Sequence, residues 1–422
     1  MRRLLVAATV VLAEHNTADL EHLHCFAGRE LDAVIAKVGG TLAPRSRLGT
    51  EPWLCPNPAI LEAAQAALPC ASRFVDVGGN KGFTAMLFLA LWRPSLGASP
   101  WRWYDAHVRH GLWPNTVHAK HTMCGSCHAC LQGGRAGFAL ANCTTGPPPI
   151  EVHSFDGSLQ LVDAARDFVR TFGHEVGLAR SGRLNAVWSF HHLAISSERG
   201  EAKFIQGSSE VQSLLLDDDE AAIANLKRIG GSDASPNATQ SGSWSMVQQT
   251  TLDAFASGRG WPDSAGPDVI KVDAEGFDGL VLRGAARVLR RASLVLFEYN
   301  PIARVPLRSM LEQLEGARFR CFLAGVRGLV RVGAAPACWS DGLEVTNRTS
   351  WTWGGDHKTG HRWIRHTWSR PGDRTTEVPS LLFDNTNLVC ASERNAPDLV
   401  HRFNRLVRST LEGRGVKLAA QT

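Results

Sequence analysis

Two segments far apart in the chain constrain the fold more than anything else in it: Phe74-Val75-Asp76-Val77-Gly78-Gly79-Asn80-Lys81-Gly82-Phe83, and Val269-Ile270-Lys271-Val272-Asp273-Ala274-Glu275-Gly276 followed by Leu280-Val281-Leu282-Arg283-Gly284-Ala285. Each reads as a strand covered on both faces that runs into a carboxylate and a glycine turn. The glycines Gly78, Gly79 and Gly82 allow a tight reversal and let a ligand approach the backbone more closely than any Cβ permits. The stretch Phe83 to Trp92 is almost wholly apolar and predicts a buried helix whose N-terminal N–H groups face the turn. That pattern belongs to a nucleotide-type site, although it lacks the G-x-G-x-x-G spacing of dinucleotide binders.

A third segment, Ile150-Glu151-Val152-His153-Ser154-Phe155-Asp156-Gly157, alternates like a strand and again ends in an acid, with a helical stretch from Leu159 to Phe172 behind it. An acid at the tip of the second strand of such a sheet is placed to accept hydrogen bonds from ribose hydroxyls, which makes Asp156 the candidate for that role. Further blocks come in order: Ala194-Ile195-Ser196, Thr251-Leu252-Asp253 and Leu296-Phe297-Glu298.

Taken together, these blocks resemble the FkbM-type methyltransferase family. The resemblance runs from Phe74 to Asn300, and the chain departs from the family's more usual residues at Gly79, Lys81 and Asp156-Gly157, and in a long gap after the first helix. It implies an α/β fold, a doubly wound, Rossmann-like, mostly parallel seven-stranded sheet, with S-adenosyl-L-methionine as cofactor and no metal required for the chemistry. It also implies the residue roles. Asp76 and Gly78 would hold the methionine end of the cofactor, with Gly79, Asn80 and Gly82 also in the cofactor turn, Asp156 the ribose, and residues near Ala194 the adenine. Asp273 and Glu275 lie two apart at a strand tip, where an extended backbone points both carboxylates the same way, one toward the cofactor ammonium and the other toward the acceptor. Glu275 serves equally well as a brace for the Gly276 turn. Glu298 is a further candidate base, with His191 and His192 behind it.

The 422 residues, 44% of them hydrophobic, can bury a full core. A formal charge of +5, without a Lys/Arg run or interleaved aromatics, carries no nucleic-acid signature. Residues 1–13, from Met1-Arg2-Arg3 through the apolar Leu4 to Ala13, have the grammar of a signal peptide. The stretch is shorter than the roughly 20 apolar residues a bilayer span needs, so the processed chain is expected without a transmembrane segment, in the secretory lumen or secreted, with the cytoplasm as the alternative. Three sequons, at Asn142, Asn237 and Asn347, fit the secretory route.

Ten cysteines read as disulfides in an oxidising compartment. The cluster Cys124, Cys127 and Cys130, completed by Cys143 or a histidine, also has zinc-knuckle spacing, which is the weaker alternative while the signal peptide stands. The segments divide as 14–72, an N-terminal helical region; 73–398, the methyltransferase domain; and 399–422, a basic terminal helix. Within the domain, 93–149 is a Cys-rich insertion on the edge remote from the ligand, expected to be structural. A second insertion, 334–379, carries Trp339, Trp351, Trp353, Trp363 and Trp368 with His357, His361 and His366, and a loop leaving the sixth strand emerges on the ligand side. Such a composition suits stacking on sugar faces, or equally a mini-core of buried tryptophans.

The expected activity is therefore transfer of a methyl group to a hydroxyl, the favoured acceptor being a sugar or glycan, with a small-molecule or lipid hydroxyl as the other acceptor class. The competing readings are a secreted carbohydrate-binding protein without turnover and a nicotinamide-dependent oxidoreductase. Intact Asp76, Asp156 and Asp273 weigh against the first, and the glycine spacing against the second.

Overall fold

The strand Arg73–Val77 (β1) forms the centre of a large sheet because Phe74, Val75 and Val77 are apolar on both faces, and all are buried. The protein is described by a computed structural model covering residues 25–39, 58–80, 82–110, 143, 149–174, 186–205, 214–215, 244–262, 266–299, 303–325, 328–344, 351–356, 361–366, 376–379 and 386–413. The signal-like leader, Lys81, Cys55, Cys124, Cys127, Cys130, the three sequon asparagines, His357 and Trp368 lie outside the described residues, as do the side chains of 351–356, 361–366 and 376–379.

Before β1 come helices α1 (Gly28–Gly39) and α2 (Pro58–Ala67). After it come α3 (Phe83–Trp92), α4 (Pro100–Arg109), β2 (Ile150–Asp156), α5 (Leu159–Phe172), β3 (Ala186–His192), β4 (Ala194–Ile195), β5 (Gly200–Ile205), β6 (Leu214–Leu215) and β7 (Trp244–Thr250). The chain continues through α6 (Leu252–Gly258), β8 (Val269–Val272), α7 (Asp278–Arg283), α8 (Ala286–Leu289), β9 (Leu294–Tyr299), α9 (Leu307–Gly316), β10 (Phe319–Gly325) and β11 (Gly328–Val332). It ends with β12 (Trp351–Asp356), β13 (His361–His366), β14 (Thr376–Pro379), β15 (Thr386–Ser392) and α10 (Pro397–Glu412).

The main sheet runs β3-β2-β1-β8-β9-β15-β10-β11. Neighbours from β3 to β9 pair in parallel, whereas β15 is antiparallel to both β9 and β10. The sheet therefore has eight strands where seven were expected. The additional one is β11, which folds back on β10 with Gly325 opposite Gly328 and Leu323 opposite Val330. Its direction changes the path of the second insertion. Because β11 returns to the lower rim, that segment starts on the side away from the strand tips, not on the ligand side as expected. It then climbs along α9: the Ala334 N–H donates to Glu315, near the end of that helix, and Glu344 accepts from the Arg308 N–H at its start.

One face of the sheet carries the register row Lys271, Leu296, Val389, Phe322. Helix α3 packs there through Phe88 on Phe74, and α10 through Phe403 on Phe322. Helix α10 is amphipathic and buries Leu399, Val400, Phe403, Val407 and Leu411, so it completes the core. Helices α6 to α9 cover the opposite face.

Three cysteine pairs stand at disulfide distance, with Cα–Cα separations of 4.6 Å for Cys25–Cys338, 4.9 Å for Cys70–Cys143 and 4.1 Å for Cys321–Cys390. Cys70 and Cys143 join the approaches to β1 and β2, which takes Cys143 out of the zinc alternative. Among the described residues no group of three or more His, Cys, Asp or Glu could hold a metal ion, and no helix is long and apolar enough to cross a membrane. Trp339 is buried with its indole N–H on Asp341, so this tryptophan belongs to the core. A separate antiparallel sheet, β12-β13-β14, carries Trp351, Trp353 and Trp363, and a four-stranded sheet, β4-β7-β5-β6, packs on the turn after β8.

Candidate active site

At the upper rim of β1, β2 and β8 the backbone makes two close reversals. Gly78 has φ +72, and a Cβ there would sit 1.8 Å from the carbonyl oxygen of Asp273. Only glycine lets the β1 turn lie against the β8 tip. Gly82 (φ +76) opens α3, and no side chain caps the first turn of that helix.

Lys271 ties the two turns together. Its ammonium donates to the Gly78 carbonyl at 2.7 Å and lies 3.3 Å from Asp76 Oδ1 and 3.4 Å from Asp273 Oδ2. The facing carboxylates raise the Lys271 pKa against its burial, so the ammonium stays charged. Asp76 is fully buried and its pKa is raised, by burial above all, with Lys271 pulling it back. Its Oδ2 accepts from Ser154 at 3.4 Å, while Oδ1 makes no hydrogen bond. Across the turn, Asp156 accepts from the Asn80 N–H at 3.0 Å and the Ser158 N–H at 2.8 Å. Burial outweighs these two bonds and pushes its carboxyl up to about 6. Asn80 itself is left-handed (φ 42), and its side-chain oxygen is buried without a partner.

The turn after β8 is not extended. Glu275 adopts φ 49, which breaks the alternation that was expected to point Asp273 and Glu275 the same way. Burial, then the neighbouring Asp273 and Asp278 carboxylates, pushes Glu275 up to about 8. Asp278, which sequence reasoning missed, is buried below this turn and accepts from the N–H groups of Ala274 and Glu298, each at 3.2 Å. Burial and Asp273 push it up to about 7. Glu298 is buried at the tip of β9.

The candidates outside this rim separate clearly. Ala194 is buried beside Phe204, Val247 and Phe277, next to the rim. His192 is held to the Gly157 carbonyl at 3.0 Å. His191 stacks on Phe155 on the opposite face, 3.2 Å from His153, so it does not reach the rim. The residues that could hold a cofactor are thus Asp76, Gly78, Gly79, Asn80, Gly82, Asp156 and Asp273. They fit one with a cation and a diol: a buried Asn80 side-chain oxygen without a hydrogen bond, a glycine cradle that a Cβ would fill, and acids on separate strands.

The raised carboxyls set a pH dependence. An acid whose folded pKa exceeds its unfolded value, as for Asp156, Asp278 and Glu275, stabilises the fold below about pH 4 relative to higher pH. That contribution is lost as pH rises through the folded values of about 6, 7 and 8. The urea midpoint of the ligand-free protein should therefore fall steadily between pH 5 and 8.5, whereas a flat profile would mean the three carboxyls titrate normally.

Residues 178–321 match the family model of the methyltransferase FkbM domain, a span from just before β3 into β10. The glycine turn and Asp156 precede that span. Within that span the chain is similar to the methyltransferase FkbM domain. No curated protein and no solved structure matches the chain.

Proposed function

We propose that the protein is an S-adenosyl-L-methionine-dependent O-methyltransferase, with a sugar hydroxyl as the favoured acceptor. The observation that carries this reading is the lysine-bridged rim, in which Lys271 joins Asp76, Asp273 and Gly78 beneath a glycine turn that Asp156 flanks. When bound there, the cofactor supplies an electrophilic methyl group on a sulfonium leaving group. Asp76 Oδ1 and Asp273 suit its ammonium, Asp156 its ribose hydroxyls, and the N–H groups opening α3 its carboxylate.

The protein's own task is alignment, which is worth about 7–11 kcal/mol, and removal of the acceptor proton. Glu275 is the candidate base: its carboxyl, pushed up to about 8, is in its ionised form a stronger proton acceptor than an ordinary glutamate. A cofactor cation beside it favours the ionised form, so activity rises with pH through that range. The acceptor class rests on the composition of the 334–379 insertion. Buried Trp339 takes no part in acceptor binding, which leaves Trp351, Trp353, Trp363 and Trp368 for stacking.

Titration calorimetry with S-adenosylmethionine, S-adenosylhomocysteine and NAD tests the reading: the first two bind and the third does not, and binding of NAD alone overturns it. Asp156→Asn should weaken both adenosyl ligands roughly tenfold or more, since it removes a charge-assisted contact. Unchanged affinity would take the ribose role from Asp156. A labelled-methyl screen over glycan, lipid and peptide pools identifies the acceptor.

A further inference from the structure

We propose that Trp188 and Ser154 are positioning residues, a relay that sets the Asp76 carboxylate and braces the Gly82 turn. The inference rests on the donor-site reading above. Trp188, in the middle of β3, donates its indole N–H to Ser154 Oγ at 2.9 Å, and Ser154 Oγ lies 3.4 Å from Asp76 Oδ2. An indole N–H can only donate, so it occupies a lone pair of the serine oxygen and turns the one hydroxyl proton toward Asp76. The relay has a single direction, and it occupies Oδ2 while leaving Oδ1 toward Lys271 and the ligand. Ser154 is buried and Asp76 fully so, so water does not substitute for either bond.

The Trp188 ring does the second half of the work. A Cβ on Gly82 would come within 2.9 Å of it and 3.3 Å of the Trp103 ring, so the two indoles form the wall against which the turn opens α3. Trp103 is fully buried on α4, 5.1 Å from Trp188 between ring centroids. Helix α4 belongs to the insertion expected to stand apart from the chemistry, and through this contact the insertion reaches the ligand turn.

The charged groups facing Asp76 are Lys271 and Asp273 of the β8 tip and Asp156 of the β2 tip. Helix α3 presents no titratable side chain. A serine proton on Oδ2 stabilises the charged carboxylate, so its loss matters where Asp76 is ionised and little where it is protonated.

Full-length Ser154→Ala, Trp188→Phe and the double variant decide the matter by urea unfolding at pH 5 and pH 8, and by calorimetry with S-adenosylmethionine. The relay predicts that Ser154→Ala destabilises the ligand-free protein more at pH 8 than at pH 5. It also predicts that each single variant binds the donor about 5–10-fold more weakly, and that the double variant is no worse than the more affected single one. Equal destabilisation at the two pH values with wild-type donor affinity would overturn it. Should the wild type bind no adenosyl ligand, the donor reading fails, and the pH dependence of Ser154→Ala still judges the relay.

Discussion

Lys271→Met should lower the unfolding free energy by about 3–5 kcal/mol at pH 8 and abolish binding of the methyl donor. The side chain is 12% exposed and is the cation shared by Asp76 and Asp273, one fully buried and the other partly so. Its removal leaves an uncompensated charge where water cannot reach, and the tie to the Gly78 carbonyl goes with it. The sign with pH is set by Asp76. Its raised pKa climbs further once the ammonium is gone, so the variant is least damaged in acid, where the carboxyl is neutral, and most damaged above neutrality. Urea unfolding at pH 5 and 8 measures the difference. A loss relative to wild type that is equal at both pH values would show that Lys271 acts by packing alone.

The second large effect is at Gly78. Gly78→Ala requires a left-handed residue with a side chain, which costs about 1–2 kcal/mol by itself. It also drives a methyl group to within 1.8 Å of the Asp273 carbonyl, a backbone atom that cannot swing away. The β1 and β8 tips must separate, and with them the carboxylates that face the ligand. The expected result is a loss of about 3 kcal/mol or more of stability together with loss of donor binding. Gly258→Ala is the control, since no atom lies within 4 Å of a Cβ there and its φ is ordinary. Equal stability of the two variants would place the Gly78 turn outside the constraint described.

Much of this rim was legible in the sequence because strand, acid and glycine are contiguous: Asp76, Asp156 and Asp273 each end a run whose apolar pattern marks the strand. The contacts between runs were not. Lys271 was visible inside its motif, yet its role comes from the β1–β8 register that places it opposite Asp76. Glu275 was read as extended, and the tight turn that lets Gly276 precede α7 puts it in the left-handed region instead. Asp278 carried no signal beyond its place at the start of a helix, where acids are common. Trp188 looks like any strand aromatic until its indole is seen on Ser154. The strand Gly328–Val332 was detectable, with glycines flanking Val326-Arg327 and an alternating apolar run behind them, a pattern of the hairpin kind.

The placement of β15 has a consequence for synthesis. This last strand lies between β9 and β10, so a nascent chain that has not yet yielded residues 386–392 holds two open strand edges in the middle of its sheet. Open strand edges of this kind invite pairing with another copy. Closure of the main sheet is therefore coupled to synthesis of residues 386–392, and a chain truncated before them should aggregate where the longer chain folds.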